Sequence, residues 1–327
     1  MNVGKEFSIN IKKYVKDRIG YVCQTDQGTK IIKKVYLRPN QILFQQDVKK
    51  HLYENGFKLI DMYAMSQKNL PYVEHGNNIY VMTEYIGGSS PCFQNIEQWH
   101  KIVESVAYAH KILKKVPLSS EPTIKNPNMM ELCDKKIASL SNYKKKLNRQ
   151  SNLTDFDCFF VKHYEYYMNL LTETKCALTD FNFDKMLQDA KKNNSVCHNI
   201  LREDSFLPIG DDIYITNFTE SSVAPQILDV ACMIKQYVKS FSNDADILNS
   251  YMSFQDIISV YNSINTLSHE EQKILSALLL FPNKFLNICD EYHQKKRSFV
   301  PSALRIRIEK LITKKDKMEQ FLDPYAL

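Results

Sequence analysis

The fold of this chain is decided by Ser195–Val196–Cys197–His198–Asn199–Ile200–Leu201–Arg202–Glu203–Asp204–Ser205, followed by Tyr214–Ile215–Thr216–Asn217–Phe218–Thr219 and then Leu228–Asp229–Val230–Ala231. Strand-forming residues on either side of Pro208–Asp212 predict a short hairpin between the first two pieces. Asp229 opens a run at helical spacing, Val230, Met233, Ile234, Tyr237 and Val238. Loop, hairpin and helix start form a layout in which His198, Ile200, Ser205, Asn217 and Asp229 belong to one site. Of these five, the three intervening positions carry no carboxylate.

Working outward, the N-terminal side reads as a small sheet with one helix. Residues 14–36 are strand-like, with Ile19–Gln24 and Thr29–Tyr36 joined by the turn Thr25–Asp26–Gln27–Gly28. A helix is predicted from Asn40 to Asn55, where Ile42, Leu43, Gln46, Lys49 and Leu52 recur at helical spacing and Gly56 ends the run. Phe57–Ala64 and Asn78–Tyr85 read as two further strands, and Gly87–Gly88 as a break. Beyond Pro91 the pattern is almost wholly helical. One apolar face runs Ile96, Trp99, Ile102, Val103, Val106, Ala107, His110, Leu113; further helices are expected over Met129–Leu147, Asp155–Leu171 and Phe181–Lys191. Three or four more helices follow Asp229 up to about Leu322. Among them, Ser268–Phe281 opens with a capping box, Ser268 with Glu271.

Composition narrows the function classes. A chain of 327 residues, 44% hydrophobic, can bury a sizeable core as one large domain or two lobes. The net charge of +6 is spread in short runs such as Lys144–Lys146 and Lys295–Arg297, which read as solvated helix faces rather than a nucleic-acid surface. The eight cysteines show no C-x-x-C pair and no histidine at zinc-ligand spacing, so buried free thiols in a reducing compartment are expected, with no metal site. Met1–Lys13 lacks an apolar signal core, and the longest apolar run, Ile274–Phe281, is too short to span a membrane. A soluble protein made in the cytoplasm is expected.

With these pieces in order, the chain resembles the CotS-type spore coat proteins, a branch of the aminoglycoside phosphotransferase and choline kinase superfamily. The matching pieces are Gly28–Lys34, His51–Phe57, Tyr80–Gly88, the His198 loop, Leu228–Ala231, and Leu278–Phe285 with Tyr292 beyond, spread over nearly the full length. The resemblance implies an α+β, protein-kinase-like fold. It would have an N-terminal sheet lobe over residues 1–88 and a larger helical lobe over residues 89–327 that holds the catalytic loop. It also implies roles for positions. The residue two after the histidine would be the catalytic base, the later loop residue and the residue after the hairpin would hold Mg²⁺, a strand lysine would reach the nucleotide phosphates, and the hinge would meet the adenine. Here the first three positions are Ile200, Ser205 and Asn217; the lysine is Lys33 or, in the opposite register, Lys34; the hinge is Glu84–Ile86.

The departures set the expectation for function. Ile200 has no group to take a proton, and losing a general base alone costs about 10²–10⁴ in rate. Asn217 removes a charge from a hard-cation site. Asp204 and Glu203 are neighbouring carboxylates that would revive the site only by a change of loop register, and Gln45, Gln46 and Asp47 stand where the strand lysine would find a partner. His198 and Asp229 are read as residues that shape the loop. The leading expectation is a catalytically silent, kinase-like protein made in the sporulating mother cell and assembled with other spore coat proteins, with no cofactor required. Two alternatives stay open: a live ATP- and Mg²⁺-dependent phosphotransferase on a small hydroxylated or amino substrate, and a nucleotide-binding module without turnover.

Overall fold

The structure, a computed structural model, describes residues 3–17, 19–92, 95–124, 128–240 and 252–294, with isolated helical residues between 306 and 322. The run Lys295–Arg297 lies outside the described residues.

After a short helix α1 (Val3–Glu6), strands β1 (Ile11–Asp17), β2 (Gly20–Thr25) and β3 (Gly28–Val35) form a meander. Helix α2 (Pro39–Glu54) follows, then β4 (Val73–His75) and β5 (Asn78–Glu84). The sheet is antiparallel in the order β1-β2-β3-β5-β4. Each face has its own apolar cluster, as strand periodicity requires. Cys23, Ile32 and Met82 pack with Val3, Phe7, Ile9 and Val73 on one side, while Val81 packs with Ile42 of α2 and Tyr63 on the other. Pro39 occupies the first turn of α2, and Gln41 reaches back to accept from the Arg38 backbone N–H at 2.9 Å. Gly56 follows the helix at φ +97°, a conformation that favours glycine.

One strand expectation is corrected. Phe57–Ala64 forms no strand; it makes two isolated bridges, Ile60 with Ile215 and Tyr63 with Thr83. Between them Asp61 is buried against Lys49. Instead, β4 is the partner of β5 across the turn at Gly76.

The helical remainder contains α3 (Ile96–Leu113), α4 (Met129–Leu147), α5 (Asp155–Asp180) and α6 (Phe183–Asn193). The site segment then brings β6 (Val196–Cys197), the hairpin β7 (Phe206–Ile209) and β8 (Asp212–Ile215), β9 (Ser222–Val223) and α7 (Ile227–Ser240). Helices α8 (Phe254–Ile264), α9 (His269–Leu280) and α10 (Asn283–Gln294) follow. The expected capping box is formed: Glu271 N–H donates to Ser268 Oγ at 3.2 Å and Ser268 N–H to Glu271 Oε2 at 2.8 Å. Helix α5 runs nine residues past the predicted end at Leu171, and within that stretch Thr172, Thr174 and Thr179 turn their hydroxyls back onto carbonyls four residues earlier. The sheet followed by a mainly helical remainder is the α+β, kinase-like arrangement that the sequence predicts.

By internal contacts the chain forms two compact units, Met1–Lys125 with Leu187–Thr266, and Asn126–Met186 with Leu267–Leu327. The first contains the sheet, α2, α3 and the whole His198 loop. The second is organised on aromatic rings. Phe285 stacks on Tyr167 with centroids 3.8 Å apart, and Tyr292 stacks on Phe156 at 4.0 Å while its hydroxyl meets Thr154 Oγ1 at 2.8 Å. Phe281 and Phe285 are therefore core residues of that unit, while Asn283 and Lys284 between them are exposed.

Candidate functional site

The loop after β6 is fixed first by backbone pairing. Val196 pairs with Val223 and Cys197 with Ser222, so the chain enters and leaves the site on one two-stranded ladder. Asp229, in the first turn of α7 and wholly buried, accepts the backbone N–H of His198 at 2.5 Å through Oδ2 and that of Asn199 at 2.7 Å through Oδ1. Its Oδ2 also lies 3.3 Å from His110 Nε2 on α3, and His110 Nδ1 lies 2.8 Å from the Tyr261 hydroxyl of α8. Burial would raise this carboxyl's pKa, but the bond and charge of His110 and the contacts with His198 hold it below the ordinary aspartate value. Asn199 adopts a left-handed φ of +66°, and its amide donates to the Glu220 carbonyl at 2.9 Å and to Ser222 Oγ at 2.8 Å. Asparagine tolerates that conformation better than most side chains.

His198 is buried under Phe218, with ring centroids 4.7 Å apart, and its Nε2 lies 2.8 Å from the Thr216 carbonyl. A carbonyl can only accept, so Nε2 carries the proton. Nδ1 then accepts from the Ile200 N–H at 3.3 Å. Burial pulls the imidazole pKa below its ordinary value even though Asp229 and the Thr216 bond pull the other way. The ring is thus a neutral brace joining the loop to the end of the β7–β8 hairpin.

Beyond His198 the polar groups turn on themselves. The buried Ser205 hydroxyl donates to the carbonyl of Ile200, and its backbone carbonyl accepts the Thr216 N–H at 2.9 Å. Asn217 has φ +66°, and its Oδ1 accepts the Thr219 hydroxyl at 2.9 Å. Glu203 and Asp204 are the exposed members of a 3₁₀ turn, Glu203–Ser205, with Asp204 3.5 Å from Arg202. Mg²⁺ needs several hard oxygen ligands at near-octahedral geometry, usually including carboxylate. The hydroxyl of Ser205 and the amide oxygen of Asn217 are both engaged within the protein, and no cluster of three metal-ligating side chains occurs among the described residues. The residues at these positions do not fit a magnesium ion.

The sheet side of the site is organised by a residue that sequence periodicity placed without a role. Lys49 of α2 is buried, with Nζ donating to the Asp61 carbonyl at 2.7 Å. Its 2.9 Å approach to Asp61 Oδ1 is charge pairing without hydrogen-bond alignment. The ammonium lies 3.9 Å from the Tyr63 ring centroid and 5.7 Å from that of Phe218. Burial lowers its pKa against the pull of Asp61, and the charge of Lys33 lowers it further. Gln45, one turn earlier, accepts the Tyr63 hydroxyl at 2.6 Å and donates to the Thr219 carbonyl at 3.4 Å. Helix α2 is thereby tied to the turn that carries Asn217.

Lys33 shares the α2 face of β3 with Val35, whereas Lys34 is exposed and lies over the Tyr36 ring at 5.1 Å. Asp47 is no partner for Lys33. It accepts the N–H and hydroxyl of both Ser119 and Ser120 at 2.7–2.9 Å, and these four bonds outweigh burial and lower its pKa. Glu84 pairs across the sheet with Lys30 at 3.3 Å, and Ile86 is half-buried where the chain runs on to Gly88. Lys49 and His110 were visible in sequence as a lysine and a histidine at apolar positions of two helices; Asp61 and Tyr261 carried no such signal.

Comparison with known proteins agrees with the fold. Spore coat protein S of Bacillus subtilis (strain 168) is 18% identical over 306 residues, covering 92% of this chain and 84% of that protein. Among solved structures, an aminoglycoside phosphotransferase from Alicyclobacillus acidocaldarius superposes with a TM-score of 0.79 at 16% identity, covering 99% of this chain and 94% of the other. The AMP-bound spectinomycin phosphotransferase APH(9)-Ia gives 0.65 at 15% identity, covering 99% and 97%. A family model described as "Spore coat putative kinase YutH" matches residues 1–325, and the chain belongs to that family.

Proposed function

We propose that this protein is a spore coat component that keeps the kinase-like fold as a scaffold and has lost phosphoryl transfer. The observation that carries the reading is the closed circuit at the reactive end of the loop. Ile200 stands where a base would act, and Ser205 spends its hydroxyl on the carbonyl of Ile200 itself. Asp204, the nearest replacement carboxylate, is exposed and paired with Arg202. The buried Lys49–Asp61 pair supports the same reading, since it satisfies the α2 ammonium with the protein's own carboxylate, while Gln45 ties α2 to the Asn217 turn, and neither contact needs nucleotide or metal. Coat assembly is inferred from the family and from the coat protein it resembles, with synthesis in the mother cell and other coat proteins as partners. No helix among the described residues is long and apolar enough to cross a membrane.

The test is transfer of γ-phosphate from labelled ATP with Mg²⁺ to a panel of amino-sugar, amino-alcohol and hydroxylated acceptors. The proposal expects no transfer above the protein-free rate; Mg²⁺-dependent transfer that Asp204→Ala abolishes would overturn it. A second reading, nucleotide binding without turnover, is favoured by one observation, the placement of Lys33 on the α2 face of β3. It predicts thermal stabilisation by ATP that Lys33→Ala removes and Lys34→Ala leaves.

A further inference from the structure

At the end of the sheet away from β4, strand β1 has β2 as its one strand neighbour among the described residues. It is seven residues long and contains no proline, and every residue after Ile11 is exposed. Asp17 pairs with Gly20 where the hairpin closes, and residue partners alternate inward and outward from there. Val15 and Lys13 therefore bond to β2, while the N–H and C=O groups of Tyr14 and Lys16 face outward. Edge strands of this length are hazardous unless blunted, and lysine is a usual blunting residue. Lys12, Lys13 and Lys16 serve that end against most partners, yet Tyr14 and Val15 between them are 51% and 59% exposed.

Two further features say what the edge accepts. A groove of about 470 Å³ lies beside the start of the strand, lined by Lys5, Ile9, Ile11, Lys12, Tyr14 and Asp26. Lys5 and Lys12 against Asp26 leave the groove with a net positive charge, and Asp26 is also bonded to the Asn10 N–H at 3.0 Å. Along β1 itself, three lysines and one aspartate give a net charge of +2. A second copy of the chain would bring two such strands together, and like charges across a strand pair are destabilising. An acidic strand would neutralise the same residues.

We infer that β1 is a docking edge for an extended acidic segment of another protein, which adds as a sixth strand. The partner carries two apolar residues opposite Tyr14 and Val15, with acidic residues on both sides facing Lys12, Lys13 and Lys16. Backbone bonds to Tyr14 and Lys16 supply the affinity, and the lysines supply the selection. This surface is separate from the His198 loop, and the inference does not depend on whether the loop is silent.

The probe is a fluorescein-labelled peptide, Thr-Glu-Val-Tyr-Glu-Glu with capped ends, titrated with the full chain and followed by anisotropy. Saturable binding is expected, at least tenfold weaker for Lys13→Glu/Lys16→Glu and at least tenfold weaker for a peptide N-methylated on alternate backbone nitrogens. The double variant's melting temperature, measured alongside, must match wild type, and the N-methylated peptide keeps the test valid if it does not. Equal binding of the methylated peptide would reduce the contact to charge attraction and overturn strand addition. Absence of binding to the unmodified peptide, or dimerisation through β1 in sedimentation that the double variant alters, would overturn the acidic partner.

Discussion

The 198–205 loop has two ends of opposite character. At its start, the N–H groups of His198 and Asn199 converge on one buried carboxylate, which His110 and Tyr261 hold from behind. At its far end, Ile200 and Ser205 satisfy each other, and Asp204 lies in solvent. The start is a network in which each member fixes the geometry of the next, so its parts are hard to exchange singly. The far end makes no such demand. On the proposal that phosphoryl transfer has been lost, the loop keeps its shape because the residues that shape it, His198, Asn199 and Asp229, are not Ile200, Ser205 and Asn217.

The comparison is broken most severely at Asp229. Replacing it with alanine strands two backbone N–H groups and His110, and the expected loss is about 3–5 kcal/mol in urea unfolding. Next comes the sheet side. Lys49→Met leaves Asp61 buried without a counter-charge and should cost about 3 kcal/mol, whereas the double variant Lys49→Met/Asp61→Leu should recover most of it, because a buried pair can be exchanged for apolar residues nearly neutrally. Asp47→Ala removes the clamp on Ser119 and Ser120 and should cost about 2 kcal/mol.

A smaller effect sharpens the role given to His198. Its pKa is lower in the folded state, so below the ordinary histidine value of 6.5 the unfolded chain binds more protons and stability falls with pH until the folded value is reached. The contribution is at most about 1.4 kcal/mol per pH unit, and His198→Gln should flatten that part of the pH–stability curve. At the bottom of the scale, Asp204→Ala should leave the melting temperature unchanged, since exposed ion pairs contribute little.

Much of this division was legible in the chain. Met129–Leu147, the Ser268–Glu271 cap and the hairpin around Pro208–Asp212 are local patterns, and local patterns persist on folding. So were Ile200, Ser205 and Asn217, because they are identities at counted positions. What escaped is long-range. The Lys49–Asp61 pair and the His110–Tyr261 contact join residues that sequence spacing cannot relate, although a lysine among Ile42, Val48 and Leu52 was a sign that α2 buries a charge. The reading of Phe57–Ala64 as a strand misses that it pairs only at Ile60 and Tyr63, with partners far along the chain. Glu203 and Asp204, carboxylates that would serve the site only by a change of loop register, are exposed.

The central claim is that the loop keeps its shape without its chemistry, and the most direct measurement is thermal melting with and without Mg²⁺–ATP. Wild type is compared with the triple variant Ile200→Asp/Ser205→Asn/Asn217→Asp. The account predicts no Mg²⁺-dependent shift for wild type and a clear one for the triple variant, since ligand at 100 times its dissociation constant adds about 2.7 kcal/mol. A Mg²⁺-dependent shift in wild type as large as that of the variant would contradict it.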